Sequence, residues 1–316
     1  MPEPPYGEII DLLKQGQVVP FLGAGVNFGA RPAGATWDEK TATFLPSGSE
    51  LSLFLANKTN FPSTDQHDLT DLAKVSSYFV ETNARRRLRE RLHEIFDHDF
   101  AVCDIHGLLA DAAAKSPLLI VTTNYDDLTE RAFQKAGQPY DLVIHPTDRK
   151  DVEASVLWWK SGTTEPVAVE PNRLYIDLKK TTVIYKMHGT VDRTLSKWDS
   201  YVITEDDYVD FLSRMTIQAA VPALFMRHFR TRSFLFLGYG LRDWNLRVVL
   251  KNLESTLPAV DATDAIPRNV LDEPARSWAI QYRPSDFESV LWRARRVTLY
   301  DVDINEFVRR LREQGV

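Results

Sequence analysis

Apolar residues gather in short runs along this chain, separated by stretches in which they recur every third or fourth position. Val18-Val19-Pro20-Phe21-Leu22, Leu118-Leu119-Ile120-Val121-Thr122, Thr182-Val183-Ile184-Tyr185-Lys186-Met187 and Ser233-Phe234-Leu235-Phe236-Leu237 are nearly continuous apolar runs. Runs of this kind read as strands buried on both faces, as in a parallel sheet covered by helices. Tyr140 to Ile144, Trp278 to Ile280 and Val297 to Tyr300 predict further strands. The helical period appears over residues 7–15, stopped by Gly16, around Glu50 to Leu55, over 103–115, over Leu128 to Lys135, from about Asp206 through His228, and over Ile304 to Arg312. Asp68 to Asp97 reads as one long helical stretch, with Leu69, Leu72, Val75 and Phe79 on one face and Leu88, Leu92, Ile95 and Phe96 on another. Residues 146–181 look irregular or weakly β, and residues 258–276 read as a surface loop. Strands alternating with helices predict an α/β fold with a doubly wound, mostly parallel sheet. Pro20 cannot donate to a ladder, so pairing is expected to begin after it.

The strands share a second pattern: four of them end in glycine or polar turns. Gly23-Ala24-Gly25-Val26-Asn27 follows the first, Thr123-Asn124-Tyr125-Asp126 the second, His188-Gly189 another, and Gly238-Tyr239-Gly240-Leu241-Arg242-Asp243 the fifth. Ligands of open α/β sheets bind outside the carboxyl ends of the strands, so these turns are expected to converge on one cleft. A glycine turn lets backbone approach a ligand closely, and nucleotide phosphates are the usual guests. A dehydrogenase is excluded in detail. Its third glycine is wanted where Phe28 stands, and residues 30–50 offer no second strand ending in an acidic residue.

Each polar residue also has a purely structural reading. Asn124 and Asp126 either contact a ligand or cap the helix that starts near Leu128. His188 either handles a proton or caps its strand, and Asp243 either meets a ligand or caps a helix before Trp244. Met187 reads as core. His106, His145 and His228 have no partner carboxylate at a recognisable spacing and read as structural or surface groups.

Composition narrows the classes. With 316 residues, 44% apolar and 26% charged, the chain can bury a sizeable core as a single domain over 1–316, with a helical insertion at about 38–100 and an irregular one at about 146–181. A formal charge of −6 argues against a protein whose main task is coating nucleic acid. Arg85, Arg86, Arg87, Arg89 and Arg91 crowd one helix side, either as a solvated face or as a contact for a partner. Cys103 is the only cysteine, which removes disulfides and cysteine-based zinc sites and suggests a reducing compartment. The first residues lack the basic start and apolar stretch of a signal peptide, and no apolar segment reaches membrane-spanning length, so a soluble cytoplasmic protein is expected.

Taken together, Val-Pro-Phe-Leu-Gly-Ala-Gly at 19–25, Thr-Thr-Asn-Tyr-Asp at 122–126, His188-Gly189 and Leu-Gly-Tyr-Gly-Leu-Arg-Asp at 237–243 resemble the sirtuin family. They are most similar to its bacterial defence branch, whose members hydrolyse NAD, and the likeness spans about residues 8–310. It implies a Rossmann-like sheet without a zinc module. Two residues depart from the family pattern: Asn27 stands where Ser is frequent, and Gly240 replaces a usual Ser. The four zinc-binding cysteines of protein-deacylating sirtuins are missing, which disfavours deacylation.

The resemblance implies an NAD glycohydrolase that releases nicotinamide and ADP-ribose, with NAD as substrate and no metal. It implies Asn124, His188 and Asp126 as catalytic residues, with His188 titrating near neutrality as a base. Gly23, Ala24, Gly25, Asn27, Thr123, Gly238, Tyr239 and Asp243 would bind the dinucleotide, the glycine turn through its backbone N–H groups. A homo-oligomer is expected, together with a separate sensor subunit such as a HerA-type ATPase or an Argonaute-like protein, and no membrane or direct nucleic-acid contact. The open alternative is a module that senses NAD or ADP-ribose without turnover.

Overall fold

A computed structural model describes residues 3–147, 152, 154–216, 220–239, 277–295 and 297–315. The strands are β1 (Val18–Leu22), β2 (Leu119–Thr122), β3 (Asp141–Ile144), β4 (Val156–Trp159), β5 (Val167–Val169), β6 (Val183–Lys186), β7 (Gly189–Thr190), β8 (Ser200–Tyr201), β9 (Ser233–Leu237), β10 (Ser277–Gln281) and β11 (Val297–Asp301). The α-helices are α1 (Tyr6–Lys14), α2 (Gly48–Thr59), α3 (Gln66–Leu69), α4 (Leu72–Asn83), α5 (Arg85–Phe96), α6 (Asp104–Ala113), α7 (Leu128–Lys135), α8 (Glu205–Thr216), α9 (Ala223–Thr231), α10 (Asp286–Ala294) and α11 (Ile304–Glu313).

Nine strands form one sheet in the order β11-β10-β9-β1-β2-β6-β3-β4-β5, while β7 and β8 pair separately. Every pairing from β11 to β3 is parallel, and only β4 and β5 at one edge are antiparallel. The chain order turns at β1: β2 lies on one side and β9 on the other. This is the topological switch point at which such sheets open a crevice.

Alternation along the buried strands sends side chains to two different cores. Val19 and Phe21 of β1, Leu119 and Val121 of β2, and Val183 and Tyr185 of β6 pack with Phe211 of α8, Phe225 of α9 and Trp292 of α10. Val18, Leu22, Ile120 and Ile184 point the other way, onto Ile9 and Leu13 of α1, Leu108 of α6, Phe133 of α7 and Phe307 of α11. A third cluster lies among α2, α4 and α5, where Leu51, Leu55, Val75, Phe79, Leu88 and Leu92 pack beside Leu128, Tyr201 and Ile203. The mixed α/β reading and the main parallel strands hold.

Several boundaries differ from the sequence expectation. The long stretch at 68–97 is broken, because Ala84 takes φ +71° between α4 and α5, and α3 stands apart before them. The stretch at 206–228 is two helices, α8 and α9, with Pro222 capping the second. Residues 146–181 contain the short edge strands β4 and β5. Pro20 is also paired: it faces Leu235 of β9, whereas the register with β2 starts at Phe21. Backbone direction alternates along a strand, and since Gly23 N–H points to β9, the nitrogen of Pro20 faces β2, where the ladder has not begun. The 258–276 loop lies outside the described residues. No helix among the described residues is long and apolar enough to cross a membrane.

The sheet's helix-covered face around β9 depends on aromatic packing. Phe236 is 1% exposed, with ring centroids 5.5 Å from Phe21 and 4.9 Å from Trp292. Phe236→Ala is expected to lower unfolding free energy by about 3–5 kcal/mol in urea titrations with the slope unchanged. A loss below about 1 kcal/mol would contradict this packing.

Candidate active site

The carboxyl ends of β9, β1, β2 and β6 lie side by side, and the polar turns that follow them line one cleft of about 250 Å³. A larger cavity of about 540 Å³ lies over β3 and β4 beyond α7, lined in part by Asp127, Glu130, Trp159 and Arg193. The smaller cleft is the candidate site, because it sits at the switch point and collects the buried polar side chains.

Its floor is backbone crossing backbone. Gly23 N–H donates to the Leu237 carbonyl at 2.9 Å and Gly25 N–H to the Gly238 carbonyl at 3.0 Å. Gly238 has φ +69°, and a Cβ there would lie 2.2 Å from the Val26 nitrogen; a Cβ on Gly25 would lie 2.7 Å from the Gly238 carbonyl oxygen. Only glycine fits this approach. The 3₁₀ helix Ala24–Ala30 starts at the crossing, with Val26 N–H bonded to the Gly23 carbonyl at 3.1 Å. The expectation that all the backbone N–H groups of the glycine turn face a pyrophosphate is therefore corrected, since those of Gly23 and Gly25 are spent inside the protein.

Tyr239 stitches three strand ends together. Its hydroxyl donates to the Leu22 carbonyl at 2.9 Å, so the Thr123 hydroxyl, 2.7 Å away, is the donor toward it. Asn124 is buried, with its N–H on Thr122 Oγ1 at 3.0 Å and its Nδ2 donating to the Gly23 carbonyl at 3.2 Å. Asp126 takes the structural one of its two readings and also pairs with Asn27. Oδ1 accepts from Leu128 N–H at 3.1 Å and caps α7, while Oδ2 accepts from Asn27 Nδ2 at 2.9 Å. Asn27 Oδ1 is buried with no partner among the described residues.

His188 lies 4% exposed on the cleft wall, with its ring against Tyr208 at 5.5 Å and Phe211 at 5.3 Å between centroids. Burial pushes its pKa down to about 3 against the opposing influence of the Asp207 carboxylate, which corrects the expectation of titration near neutrality. The ring is neutral at physiological pH, and Nε2 has no partner among the described residues. His145 is likewise buried and pushed down to about 3, and His106 to about 4, both chiefly by desolvation.

Ala24, Asn27, Thr123, Asn124, Asp126, His188, Gly238 and Tyr239 all line the cleft, and Gly23 and Gly25 lie directly beneath. Asp243 and Gly240 fall outside the described residues. Sequence reasoning missed the opposite wall, formed by Leu45, Pro46, Ser47, Gly48 and Leu51. Ser47 and Glu50 form a capping box that starts α2, a signal that was legible. Glu50 is also gripped by Arg31, at 2.6 Å. Burial opposes its ionisation, but Arg31 and the N–H groups of Ser47 and Trp37 outweigh burial and hold the carboxyl down to about 2. Lys186 was missed as well; a lone lysine in an apolar strand was its signal.

The arginine-rich stripe divides: Arg85 pairs with Asp207, Arg91 with Glu39 and Glu94, and Arg89 reaches the Ser196 carbonyl, whereas Arg86, beside Glu90, and Arg87 are exposed. Cys103 is buried, with its thiol pushed up to about 12 by desolvation. Among the described residues no cluster of His, Cys, Asp or Glu could hold a metal ion.

Two outcomes follow from this geometry. Gly238→Ala pays for left-handed backbone and for a clash that no flexible side chain can relieve, so a loss of at least about 2 kcal/mol is expected in urea unfolding; wild-type stability would contradict the crossing. The depressed histidines set the second. Between the folded values of about 3 to 4 and the ordinary value near 6.5, the unfolded chain binds more protons. Stability is therefore complete above pH ~6.5 and falls as pH drops through that window, by up to about 1.4 kcal/mol per pH unit for each histidine. His145→Gln should remove one histidine's share of that slope, measured by urea unfolding at a series of pH values. An unchanged slope would show that His145 is not held neutral.

Comparison with known proteins identifies the family of the chain. The profile of the SIR2-like domain family matches residues 118–300, more than half of the chain. The chain is 29% identical over 248 residues to an NAD(+) hydrolase ThsA of Acinetobacter baumannii (strain 532279), covering 78% of this chain and 41% of that protein. It is 28% identical over 210 residues to an NAD(+) hydrolase ThsA of Enterococcus faecium, covering 63% and 36%. With Defense-associated sirtuin 2 of Bacillus subtilis it shares 22% over 244 residues, covering 77% and 20%. The match thus spans less than half the length of each of these curated relatives. A chain solved in work on the mechanism and regulation of Sir2 enzymes superposes with a TM-score of 0.44 at 13% identity, covering 98% of this chain and 96% of that one. With Asn124, Asp126, His188, Gly238 and Tyr239 all inside the matched stretch, the chain belongs to the SIR2-like domain family.

Proposed function

We propose that this chain cleaves the nicotinamide–ribose bond of NAD, releasing nicotinamide and ADP-ribose, and serves as an effector of anti-phage defence. The observation that carries the reading is the convergence of Asn124, the Asn27–Asp126 pair and a neutral His188 on one cleft at the switch point. The names of the similar proteins, NAD(+) hydrolase ThsA and Defense-associated sirtuin 2, support the substrate and the setting.

The nicotinamide of NAD is a cationic pyridinium that leaves neutral, so the leaving group needs no general acid. The barrier lies in the oxocarbenium-like ribose and in placing the attacking water. Asn124 keeps one N–H on Gly23, and its amide oxygen and second N–H remain to orient a water or a ribose hydroxyl. The unprotonated His188 accepts a proton at Nε2 from that water or hydroxyl. Its low proton affinity belongs to the protein alone, and a pyrophosphate brought into the cleft adds negative charge that raises it. Asp126, held by Asn27 and by the start of α7, supplies negative charge beside a developing cation. Ala24 and the Gly238 backbone, which line the cleft, face the pyrophosphate, while the N–H groups of Gly23, Gly25 and Val26 stay bonded within the protein.

Nicotinamide release from NAD, followed by chromatography, tests the reading. Asn124→Ala and His188→Ala are each expected to lower the rate by about 100-fold or more while thermal unfolding stays cooperative. Folded variants with wild-type rates would overturn the assigned roles.

A further inference from the structure

The strand that leads to His188 ends in a charge placed where charges are rarely tolerated. Lys186 is the last residue of β6, and its side chain is fully buried. Its ammonium has three protons and meets three acceptors: the Tyr125 carbonyl at 3.2 Å, the Asp126 carbonyl at 2.5 Å and Glu130 Oε1 at 2.9 Å. Two of these belong to successive peptides of the loop that presents Asn124 and Asp126 to the cleft. The third is on α7, which that loop enters.

The neighbouring bonds show what this arrangement fixes. β2 and β6 are in parallel register, with Thr122 opposite Lys186, so the loop after β2 and the turn to His188 leave the sheet side by side. The Tyr125 carbonyl also accepts from Val191 N–H at 2.9 Å, just beyond His188-Gly189. One ammonium therefore ties the backbone carrying Asn124 and Asp126 to the end of the strand that leads into His188. Glu130, itself buried and with its carboxyl pushed upward by desolvation against the pull of Lys186, supplies the counter-charge.

We infer that Lys186 is a positioning residue that fixes the 124–126 loop relative to His188 through its two carbonyl bonds. The inference rests on the NAD-cleaving reading for its catalytic consequence, but not for its structural one. A purely stabilising ion pair can be replaced by apolar side chains of similar volume without loss, because the cost of desolvating two charges disappears with them. A positioning tie cannot be replaced in that way. Lys186→Met leaves Glu130 buried and unpaired and is expected to lose both stability and rate. Adding Glu130→Leu removes that stranded carboxylate and separates the two effects.

The experiment compares the full chain with the Lys186→Met/Glu130→Leu chain in three measurements. Expected are a thermal midpoint recovered above that of Lys186→Met alone, a kcat for nicotinamide release lower by about 10- to 100-fold with KM changed less than about threefold, and faster amide exchange in the 124–127 loop. Loop exchange is scored against the buried β2 amides of the same sample, so a general loss of stability does not imitate a loosened loop. A kcat within twofold of wild type, or loop and β2 amides accelerating together, would overturn the inference. If the wild-type chain releases no nicotinamide, the NAD-cleaving reading fails, and the loop exchange still decides whether Lys186 holds the loop.

Discussion

The rest of the site depends on a contact with no side chain in it. Where β1 and β9 end, Gly25 and Gly238 approach so closely that a Cβ on either would meet backbone. The two hydrogen bonds across the crossing bring the turn after β1 against the turn after β9, and the 3₁₀ helix leaves from the resulting shelf. Tyr239, next to the crossing, then reaches Leu22 and Thr123 and draws the end of β2 into the same assembly. A bulkier residue at this point would separate the strand ends, and the polar turns would no longer face one another. The glycine turn is thus first a device for bringing strand ends together, and its capacity to face an anion follows from that.

Above this shelf, the polar groups divide by whether the protein satisfies them. Asp126 has both oxygens engaged, and Lys186 has every ammonium proton engaged. Buried polar groups of this kind fix geometry when complete and are costly when incomplete. Asn27 Oδ1 and His188 Nε2 lack partners among the described residues, and both belong to cleft-lining side chains. A ligand in the cleft can supply the partner that each of these two atoms lacks, whereas buried atoms such as His106 Nε2 and Trp292 Nε1, away from the cleft, lack partners among the described residues without any such role.

The sequence discloses the parts of this arrangement that are local. Apolar runs such as Leu118 to Val121 and Phe234 to Leu237 identify central strands because burial on both faces leaves no polar alternation. The turns after them announce the cleft through residue type alone. The break at Ala84 is hidden because neither glycine nor proline marks it, and the 68–97 pattern keeps its helical period on either side. The edge strands β4 and β5 are too short for a clear period. His188 near a pKa of 3 could not be foreseen, since the shift comes from aromatic neighbours supplied by α8, distant along the chain. The partners of Lys186 were hidden for the same reason.

The helical segment at 45–96 does more than cover the cleft. Arg85, first in the arginine-rich helix, turns inward and pairs with Asp207 at 2.8 Å while also donating to the Tyr201 carbonyl. Asp207 is the carboxylate whose charge favours the protonated form of His188. By neutralising it, Arg85 limits the stabilisation available to an imidazolium, and burial then keeps the ring uncharged. Arg31 holds Glu50 and the adjoining cleft wall in place from the other side. The same segment therefore shapes the cleft and engages Asp207, the carboxylate that favours a protonated His188, while burial against Tyr208 and Phe211 of α8 keeps the ring neutral.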